Sequence, residues 1–473
     1  MSADAVVIGS GPNGLSAAIE LARNGRSVTV YEANDTIGGG CRSSELTIPG
    51  FVHDLCSAFH PLGAASPFFR ELDLSRDGLE WIEPPVALAH PLDDGTAVLL
   101  ERSIDATAAN LGSDARAYRR LVAPLVPQWS DLAADALGPL VRIPRHPFVM
   151  ARLGLPGVLP ARLLASIAFS GARARALFAG LAAHAVLPLD APLTASFGLM
   201  FAVVTHVANW PFPRGGSQRI IDALAARLRS LGGTIETGRR VRSLDEVGSA
   251  RAYLCDVTPR QLDEMAGRRL SDGYRAKLRL FRYGPGVFKL DYAIDGPIPW
   301  RAKDCLRAGT VHLGGTLDEI AESEAQIAGG IPAERPFILV GQQSLFDASR
   351  APAGKHTVWA YCHIPNGSTF DMTERMEAQI ERFAPGFRER VIARSVMGPA
   401  EIHRHNENYI GGDIGGGANT LFQFFTRPFP KLDPYATSAR EVYLCSSSTP
   451  PGGGVHGMCG YHAARSALRR AFA

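Results

Sequence analysis

Six residues near the N-terminus, Gly9–Gly14 (GSGPNG), constrain the fold more than any other feature of the chain. An apolar strand pattern that begins at Asp4 precedes them, and a helical pattern (LSAAIELARNG) and a second strand pattern (SVTVYE) follow. In such a turn the first glycine permits the tight bend, the second lets the backbone approach a pyrophosphate, and the third lets the helix pack on the sheet. The positive N-terminus of the helix then faces the phosphates. We therefore predict a Rossmann-like βαβ unit that binds a dinucleotide through Gly9, Gly11, Asn13 and Gly14.

An acidic residue stands where the second strand pattern ends. Glu32 lies eighteen residues after Gly14, a spacing at which a carboxylate accepts hydrogen bonds from both ribose hydroxyls of a dinucleotide. A glycine turn by itself occurs in many α/β proteins, and it does not distinguish FAD from NAD. The flanking strand and helix, together with the acid, favour a nucleotide site with Glu32 as the ribose ligand.

The length of the chain predicts more than one hydrophobic core. With 473 residues it exceeds the size at which a single core stops growing. Two further α/β patterns lie at 217–257 and 441–472, far from the first in sequence. We predict one nucleotide domain assembled from residues 1–75, 214–270 and 426–473, and a mixed α+β substrate domain formed by the two insertions, 76–213 and 271–425.

Composition and spacing disfavour several other classes of protein. The formal net charge is only +3 and comes without a block of like charges, which argues against nucleic acid as a partner. The seven cysteines contain no C-x-x-C pair, which fits a reducing compartment and disfavours a dithiol reductase. His403 and His405 have no third ligand nearby, so we predict no metal site. Because the first strand pattern begins at Asp4, no room is left for a signal peptide, and we expect a cytoplasmic protein.

An uncharged apolar run spans residues 193–210. Its length is that of a membrane span, but its Ser, Thr, His and Asn side chains favour a buried core helix. Together with the preceding residues from 140 onward, it predicts an apolar helical lid that admits a lipid-like substrate. Exposed arginines on this lid, Arg145, Arg152 and Arg162, are expected to face an anionic membrane surface, so that the protein contacts the membrane peripherally. The alternative is an ordinary substrate-domain core.

Three further motifs resemble one superfamily of flavoproteins. They are the GGGCR segment at 38–42, the YIGGDIGGG segment at 409–417, and the YLCSSSTPPGGGVHGMCGYHAA segment at 443–464. In this combination the chain resembles monoamine oxidases and phytoene desaturases, above all the phytoene-desaturase-like proteins named for a pyridine nucleotide–disulfide oxidoreductase domain. The serine-rich stretch at 446–448 stands where amine oxidases carry an acidic residue. The resemblance covers essentially the whole chain and implies FAD as the cofactor.

The resemblance also implies how FAD is held. Arg42 would neutralise phosphate charge, with a surface salt bridge as its alternative role, while Gly39 and Gly40 leave space for the ribityl chain. The C-terminal helix would point its N-terminus at the flavin and stabilise negative charge on the reduced ring. We assign to the cofactor site, besides the residues of the first motif, Gly39, Gly40, Arg42, Val241, Gly454, Val455 and Met458.

Candidate catalytic residues follow from the same resemblance. Asp413 stands where monoamine oxidases carry the cysteine that binds flavin covalently, so FAD should be non-covalent. Asp413 would then wall the flavin or cap a glycine-rich turn. Lys289 matches the lysine that is bridged through water to flavin N5, or it pairs with Asp291 on a sheet face. His60 and His206 would approach the ring or serve structural roles.

These observations predict an FAD-dependent oxidoreductase with a Rossmann-like domain and an inserted substrate domain. Its substrate would be an apolar polyene, isoprenoid or other lipid-like molecule, changed by hydride transfer or by redox-assisted isomerisation. No second G-x-G-x-x-G lies between a strand and a helix, so we expect oxygen or a quinone, rather than a nicotinamide, as the redox partner. Two alternatives are a flavin amine oxidase and a flavin-binding interaction protein without turnover. The sequence leaves the oligomeric state open.

Overall fold

The computed structural model describes residues 3–473. Its strands are β1 (Ala5–Ile8), β2 (Val28–Tyr31), β3 (Ser43–Glu45), β4 (Val52–Asp54), β5 (Trp81–Ile82), β6 (Val86–Pro91), β7 (Ala97–Leu100), β8 (Phe212–Pro213), β9 (Thr234–Glu236), β10 (Ala252–Cys255), β11 (Gly286–Asp295), β12 (Ala308–Leu313), β13 (Ile338–Gly341), β14 (Lys355–Ile364), β15 (Val391–Met397) and β16 (Val442–Leu444).

Helices connect and cover these strands. They are α1 (Pro12–Arg23), α2 (Pro61–Ala64), α3 (Pro67–Leu72), α4 (Ile104–Asn110), α5 (Ala115–Val122), α6 (Trp129–Ala136), α7 (Pro147–Gly157), α8 (Ala161–Ala168), α9 (Ala172–Ala182), α10 (Thr194–Ala208), α11 (Gln218–Ser230), α12 (Pro259–Ala266), α13 (Asp272–Leu278), α14 (Leu317–Ala328), α15 (Thr373–Phe383), α16 (Pro399–His405), α17 (Leu421–Thr426) and α18 (Met458–Arg470).

A parallel sheet in the order β16-β10-β1-β2-β9 forms the first layer. Its strands come from three segments that are far apart in sequence. Alternate side chains of β1 point to opposite faces, so Ala5 and Val7 pack in the core beneath α1 while Val6 and Ile8 pack with Leu262 of α12. Both faces are therefore covered, as parallel sheets require. This is the Rossmann-like α/β architecture predicted from the glycine motif.

The two terminal helices of this layer, α1 and α18, cross with their backbones in contact. A Cβ at Gly460 would overlap the carbonyl oxygen of Asn13, and a Cβ at Gly457 would overlap the hydroxyl of Ser16. Only glycine lets the two helices come this close. The first and last elements of the chain consequently begin side by side at one edge of the sheet.

A mixed sheet in the order β15-β11-β14-β13-β12-β6-β7 forms the second layer. One face carries an unbroken apolar core with residues such as Leu290, Val311, Val340 and Ala360. The opposite face carries polar and aromatic side chains and packs against helices α9 and α14. The predicted strands around Lys289 and at 356–364 are β11 and β14, which pair along ten residues each.

The uncharged run at 193–210 forms α10, and most of its side chains are buried. The predicted core helix is confirmed. No single helix in residues 3–473 is long and apolar enough to span a membrane, whereas α7 and α8 pass that test as a pair bent by 95°.

One strand is much shorter than predicted. The pattern TIETGRRVRSL predicts a strand to residue 244, but β9 ends at Glu236. β9 is an edge strand that pairs only with β2, and Gly238 (φ 66°) turns the chain so that its N–H donates to the carbonyl of Asn34. The residues that follow leave the sheet and reach the cavity described below.

A substitution that adds one methyl group between α1 and α18 tests their contact. We expect Gly460→Ala to lower the free energy of unfolding by about 1–3 kcal/mol, because the methyl forces the helices apart. Gly273→Ala is the matched control, since Gly273 lies in helix α13 and a Cβ there would have nothing within 4 Å. Chemical denaturation of both variants measures the effect; equal stability of the two would contradict the packing argument.

Candidate dinucleotide and substrate site

The glycine turn after β1 has the geometry of a phosphate cradle. Gly9 has φ 99°, which favours glycine, and a Cβ at Gly14 would overlap the carbonyl oxygen of Gly9. A Cβ at Gly11 would lie 2.9 Å from Oδ2 of Asp256. Gly9, Gly11 and Asn13 all line a large cavity at this edge of the sheet, and Oδ1 of Asn13 is buried without a hydrogen-bond partner. The cradle thus leaves backbone and one amide available to a ligand.

Glu32 lines the same cavity and is held rigidly. One carboxylate oxygen accepts the N–H of Ser10 at 3.0 Å and its hydroxyl at 2.6 Å, and the other accepts the N–H and side-chain amide of Asn34, both at 2.9 Å. The carboxylate is oriented before any ligand arrives. Its position at the end of β2 is that of the predicted ribose ligand.

Asp256 is a site residue that the sequence reasoning missed. It follows β10, and its carboxylate accepts the N–H of Gly14 at 3.0 Å. Burial, together with the nearby charge of Glu32, raises its pKa to about 7. The signal was present in the sequence, since Asp256 directly follows a buried strand just as Gly9 and Glu32 do.

Arg42 was expected to face the cavity, but it does not line it. Its Nε donates to the carbonyl of Gly39 at 3.1 Å, and an Nη donates to the carbonyl of His405 at 2.5 Å. The guanidinium therefore ties the glycine segment to α16 and does not line the cavity. A role of Arg42 in binding phosphate stays a prediction. The arginines that do line the cavity are Arg239, Arg240 and Arg404.

The remaining predicted cofactor residues divide into two groups. Gly39, Gly40, Val241, Gly454 and Val455 line the cavity, whereas Met458 lies behind it at the first turn of α18. A Cβ at Gly40 would overlap the hydroxyl of Tyr409, so only glycine fits there. The N-terminus of α18 stands at the same edge as that of α1, which directs two helix dipoles towards one cavity.

The cavity has a volume of about 590 Å³ and continues from the nucleotide cradle into the substrate side. Its charged lining residues, Glu32, Arg239, Arg240, Asp256, Arg404 and Glu407, all belong to segments at the nucleotide end. Beyond them the lining is apolar and aromatic, supplied mainly by α7, α10, α17 and the cavity face of the mixed sheet. Members of this wall include Met150, Leu153, Phe197, Met200, Phe201, Trp210, Leu339, Trp359, Phe424 and Phe425.

Lys289 forms the ion pair with Asp291 that the alternative interpretation predicted, but both residues are buried. Burial raises the pKa of Asp291 to about 6 even beside the lysine. Lys289 also lines a second cavity of about 10 Å³ with Trp359, Tyr361, His405 and Tyr409. That volume approaches what one water molecule needs.

Two other predicted catalytic residues, His60 and His206, do not line the cavity. His60 bonds through Nε2 to the hydroxyl of Ser217 at 2.9 Å, and burial lowers its pKa to about 4. The ring nitrogens of His206 contact the hydroxyl of Tyr118 at 2.7 Å and the carbonyl of Arg102 at 2.9 Å. Nε2 of His60 and both ring nitrogens of His206 thus contact neighbouring segments of the chain. A catalytic role for either histidine stays a prediction.

Asp413 has the capping role that was its alternative. Its carboxylate accepts the N–H groups of Gly284 at 2.7 Å, and of Gly415 and Gly417 at 2.8 Å each. It is buried and does not line the cavity, although its neighbours Ile414 and Gly415 do. The side chain shapes the glycine-rich turn and forms no wall of its own. Within residues 3–473, no group of three His, Cys, Asp or Glu side chains is arranged to hold a metal ion.

The fold and this cavity define a dinucleotide-dependent oxidoreductase. Residues 7–72 match the family model described as an NAD(P)-binding Rossmann-like domain. The chain is 27% identical to the mouse pyridine nucleotide-disulfide oxidoreductase domain-containing protein 2, over 98% of this chain and 93% of that protein. It is 26% identical to the phytoene dehydrogenase of Streptomyces griseus, over 76% of this chain and 73% of that protein.

Solved structures agree in fold. An oxidoreductase from Methanosarcina mazei has a TM-score of 0.66 at 17% identity and covers 98% of this chain and 100% of its own. Putrescine oxidase bound to putrescine has a TM-score of 0.63 at 18% identity and covers 99% of this chain and 100% of its own. The chain is an oxidoreductase with a Rossmann-like dinucleotide-binding domain, similar in sequence to a phytoene dehydrogenase and in fold to putrescine oxidase.

The raised pKa of Asp256 predicts pH-dependent cofactor binding. An anionic pyrophosphate beside this carboxyl favours its protonated form, so affinity for FAD should be highest below about pH 7 and fall as the pH rises above it. The fall approaches about tenfold per pH unit for one linked proton. Titration of the apoprotein with FAD between roughly pH 5.5 and 8.5 measures the slope.

Asp256→Asn provides the control, because the amide cannot ionise but keeps the size of the side chain. We expect its affinity to vary little across the same range. The same slope in both proteins would mean that another group carries the pH dependence.

Proposed function

We propose that the chain binds FAD without a covalent bond and uses it to oxidise, or to isomerise, an apolar lipid-like substrate in the manner of the phytoene desaturases. The observation that carries this proposal is the single cavity that joins the nucleotide cradle to an apolar chamber. A ligand in the chamber and a cofactor on the cradle would share one water-poor space. In such a site the protein positions the substrate and excludes water from the cavity, and bound FAD would supply hydride transfer.

The residues present fit FAD. The turn at Gly9–Gly14 and the N-terminus of α1 would hold the pyrophosphate, Glu32 the ribose, and Val241 the adenine side. Gly39, Gly40, Gly454 and Val455 leave room where a longer side chain would intrude. Asp413 offers no thiol, which supports non-covalent binding.

Lys289 is the residue best placed to move or hold a proton at the flavin side. It is buried against Asp291 and opens only onto the 10 Å³ cavity. In the superfamily that this chain resembles, the corresponding lysine acts through one water molecule. We propose the same positioning role here.

The second candidate function is oxidation of an amine, which the putrescine complex of a similarly folded enzyme supports. The lining favours the first candidate. A protonated amine in an apolar cavity needs a carboxylate partner, and in the described chain the acids that line the cavity all lie at the nucleotide end. Anaerobic mixing of the enzyme with isoprenoids and with aliphatic amines separates the two, because a substrate that is oxidised bleaches the flavin absorbance. Chromatography of the same mixtures detects an isoprenoid that is isomerised without bleaching.

The cofactor assignment predicts a simple release experiment. Acid precipitation should leave FAD in the supernatant, because no thioether holds it. Gly11→Val should abolish binding, since its branched side chain would enter the pyrophosphate path beside Asp256. Gly273→Val, on an exposed helix, should keep the yellow colour. Flavin in the pellet, or stoichiometric FAD in the Gly11 variant, contradicts the assignment.

Electron flow follows from the single dinucleotide motif. We propose that oxygen or a quinone reoxidises the flavin and that NADPH reduces it slowly or not at all. Stopped-flow reduction by NADPH under anaerobic conditions checks this proposal. Rapid, stoichiometric reduction at micromolar NADPH would overturn it.

We also propose that the lid contacts a membrane surface and that the protein is otherwise cytoplasmic. The outer faces of α7 and α8 expose large apolar side chains, among them Phe148 (90% exposed), Leu155 (74%) and Ile167 (69%). The inner face of α7 lines the cavity, and α17 repeats the pattern with Phe422 outside and Phe424 inside. Exposed apolar area that is continuous with an apolar cavity is typical of a membrane-facing entrance.

Arginines contribute less to this surface than the sequence predicts. Arg162 forms ion pairs with Asp190 at 3.4 Å and Asp318 at 2.7 Å, so its charge is already matched. Arg145 and Arg152 remain exposed beside the apolar patch. Apolar insertion is therefore the main expected interaction.

Liposome co-sedimentation tests the membrane proposal. We expect the wild-type protein to bind anionic vesicles and Phe148→Ser/Leu155→Ser to lose most binding. The matched control is Leu280→Ser/Ile331→Ser, which removes two exposed apolar side chains elsewhere. Absence of binding by all three proteins removes the membrane contact but leaves the lid; equal loss in both variants shows that the patch has no special role.

A further inference from the structure

The substrate end of the cavity carries buried hydrogen-bonding groups that the proposed reaction does not use. On the cavity face of the mixed sheet, Thr310 of β12 lies opposite Gly341 of β13, which in turn lies opposite Trp359 of β14. In the next row His312, Leu339 and Tyr361 are aligned in the same way. Thr310 and His312 are thus polar residues on the face of the sheet that would contact the apolar substrate.

Thr310 has an unpaired hydroxyl at this place. The side chain is only 3% exposed and lines the cavity, yet its Oγ1 has no hydrogen-bond partner. A buried hydroxyl without a partner is destabilising, because it has lost its hydrogen bonds to water. Such a group points to a ligand or solvent atom that completes its bonding.

His184 offers a second group at the same end. It lines the cavity, packs on Phe201 with ring centroids 4.5 Å apart, and its Nε2 lies 3.2 Å from Nε2 of His312. Burial lowers the pKa of His184 to about 3 and that of His312 well below its usual value, so both rings are neutral. One proton must then lie between the two Nε2 atoms.

The surroundings of His312 determine which of the two Nε2 atoms carries that proton. Its Nδ1 has no partner and faces Gly180, where a Cβ would lie only 2.9 Å away. A proton on this Nδ1 would be a buried donor without an acceptor, which is the costlier arrangement. His312 therefore carries its proton on Nε2 and donates to His184.

The tautomer of His184 follows directly. Because its Nε2 accepts, neutral His184 carries its proton on Nδ1 and can donate it to a ligand. His312 and Thr310 are alternate residues of one strand and lie on the same face. The donor of His184 and the hydroxyl of Thr310 thus flank one region of the cavity.

We propose that His184 and Thr310 form a binding site for a neutral oxygen group of the substrate, so that the substrate is an oxygenated lipid, an alcohol or a ketone, and not a pure hydrocarbon. The group is neutral because the cavity's charged lining residues lie at the nucleotide end. This proposal rests on the proposed oxidation of a lipid-like substrate and specifies its class. It also sets the direction in which the substrate enters, with the oxygenated end against β12.

The test compares one alcohol with its hydrocarbon counterpart. Farnesol and farnesene serve as probes for the FAD-loaded protein, and equilibrium dialysis measures the two dissociation constants. The wild-type protein should bind farnesol at least about fivefold more tightly, the equivalent of one net hydrogen bond. Thr310→Val, which keeps the size and shape of the side chain, and His184→Phe, which keeps a planar aromatic ring, should each remove most of that preference without changing farnesene binding.

Thr234→Val is the matched control, because Thr234 is an exposed residue of β9 in the parallel sheet and does not line the cavity. It should keep the wild-type preference. The ¹⁵N chemical shifts of His184 in wild-type protein should report a proton on Nδ1. A proton on Nε2 contradicts the tautomer argument.

The outcomes separate this proposal from the function on which it rests. Equal binding of both probes, unaffected by Thr310→Val or His184→Phe, rejects the oxygen site while the apolar-substrate function stands. Failure of any isoprenoid to bind or to reduce the flavin, with reduction by aliphatic amines, rejects the proposed function and this inference with it.

Discussion

The close crossing of α1 and α18 is the contact on which the rest of the site depends. Gly460 and Gly457 let the two helices touch along their backbones, which places the start and the end of the chain at the same sheet edge. In a parallel sheet the carboxyl ends of all strands lie at that edge. Gly9, Glu32 and Asp256 are therefore neighbours, although up to 247 positions separate them in the sequence.

Polarity changes in steps along the cavity that starts at this edge. Charged side chains surround the nucleotide end, and beyond them apolar helices and a few neutral hydrogen-bonding groups line the cavity. The mixed sheet makes this distribution of polar and apolar groups in the cavity possible, because its two faces differ. One face is a continuous apolar core that holds the sheet rigid, which leaves the other free to carry Thr310, His312 and the Lys289–Asp291 pair. Each buried polar group on it needs a partner, and the partners decide what the cavity accepts.

Local patterns were sufficient to predict the fold. The βαβ unit, the terminal strand and helix, and strands β11 and β14 follow from periodicity and glycine position, which neighbouring residues encode. The end of β9 was not predictable in this way, because an edge strand continues only as far as its partner β2 allows. The residue boundaries of the two domains remain predictions. The glycines and Glu32 were found because their spacing reports their geometry. The bonds of Arg42 to Gly39 and His405 were missed, because they depend on segments brought together only by the fold. Asp256 was missed although its place directly after a buried strand marks it in the sequence; only its bond to Gly14 depends on the fold.

The histidines show why residue type alone is a poor guide to a site. His206 was a candidate from the sequence for either a catalytic or a structural role, and both of its nitrogens contact neighbouring groups. His60 bonds only to Ser217 and keeps an unpartnered Nδ1, yet it does not line the cavity. His184 had no motif to mark it, yet it lines the cavity with one nitrogen committed to His312. What makes a buried side chain available to a ligand is a donor or acceptor that the protein leaves unused and that also borders a cavity. Whether a donor or acceptor is unused depends on the hydrogen bonds that its residue makes with the rest of the protein, and these bonds exist only after the chain has folded. A sequence can therefore supply candidates for the polar groups of a substrate site, and the packing of α9 against His312 decides which of them can act.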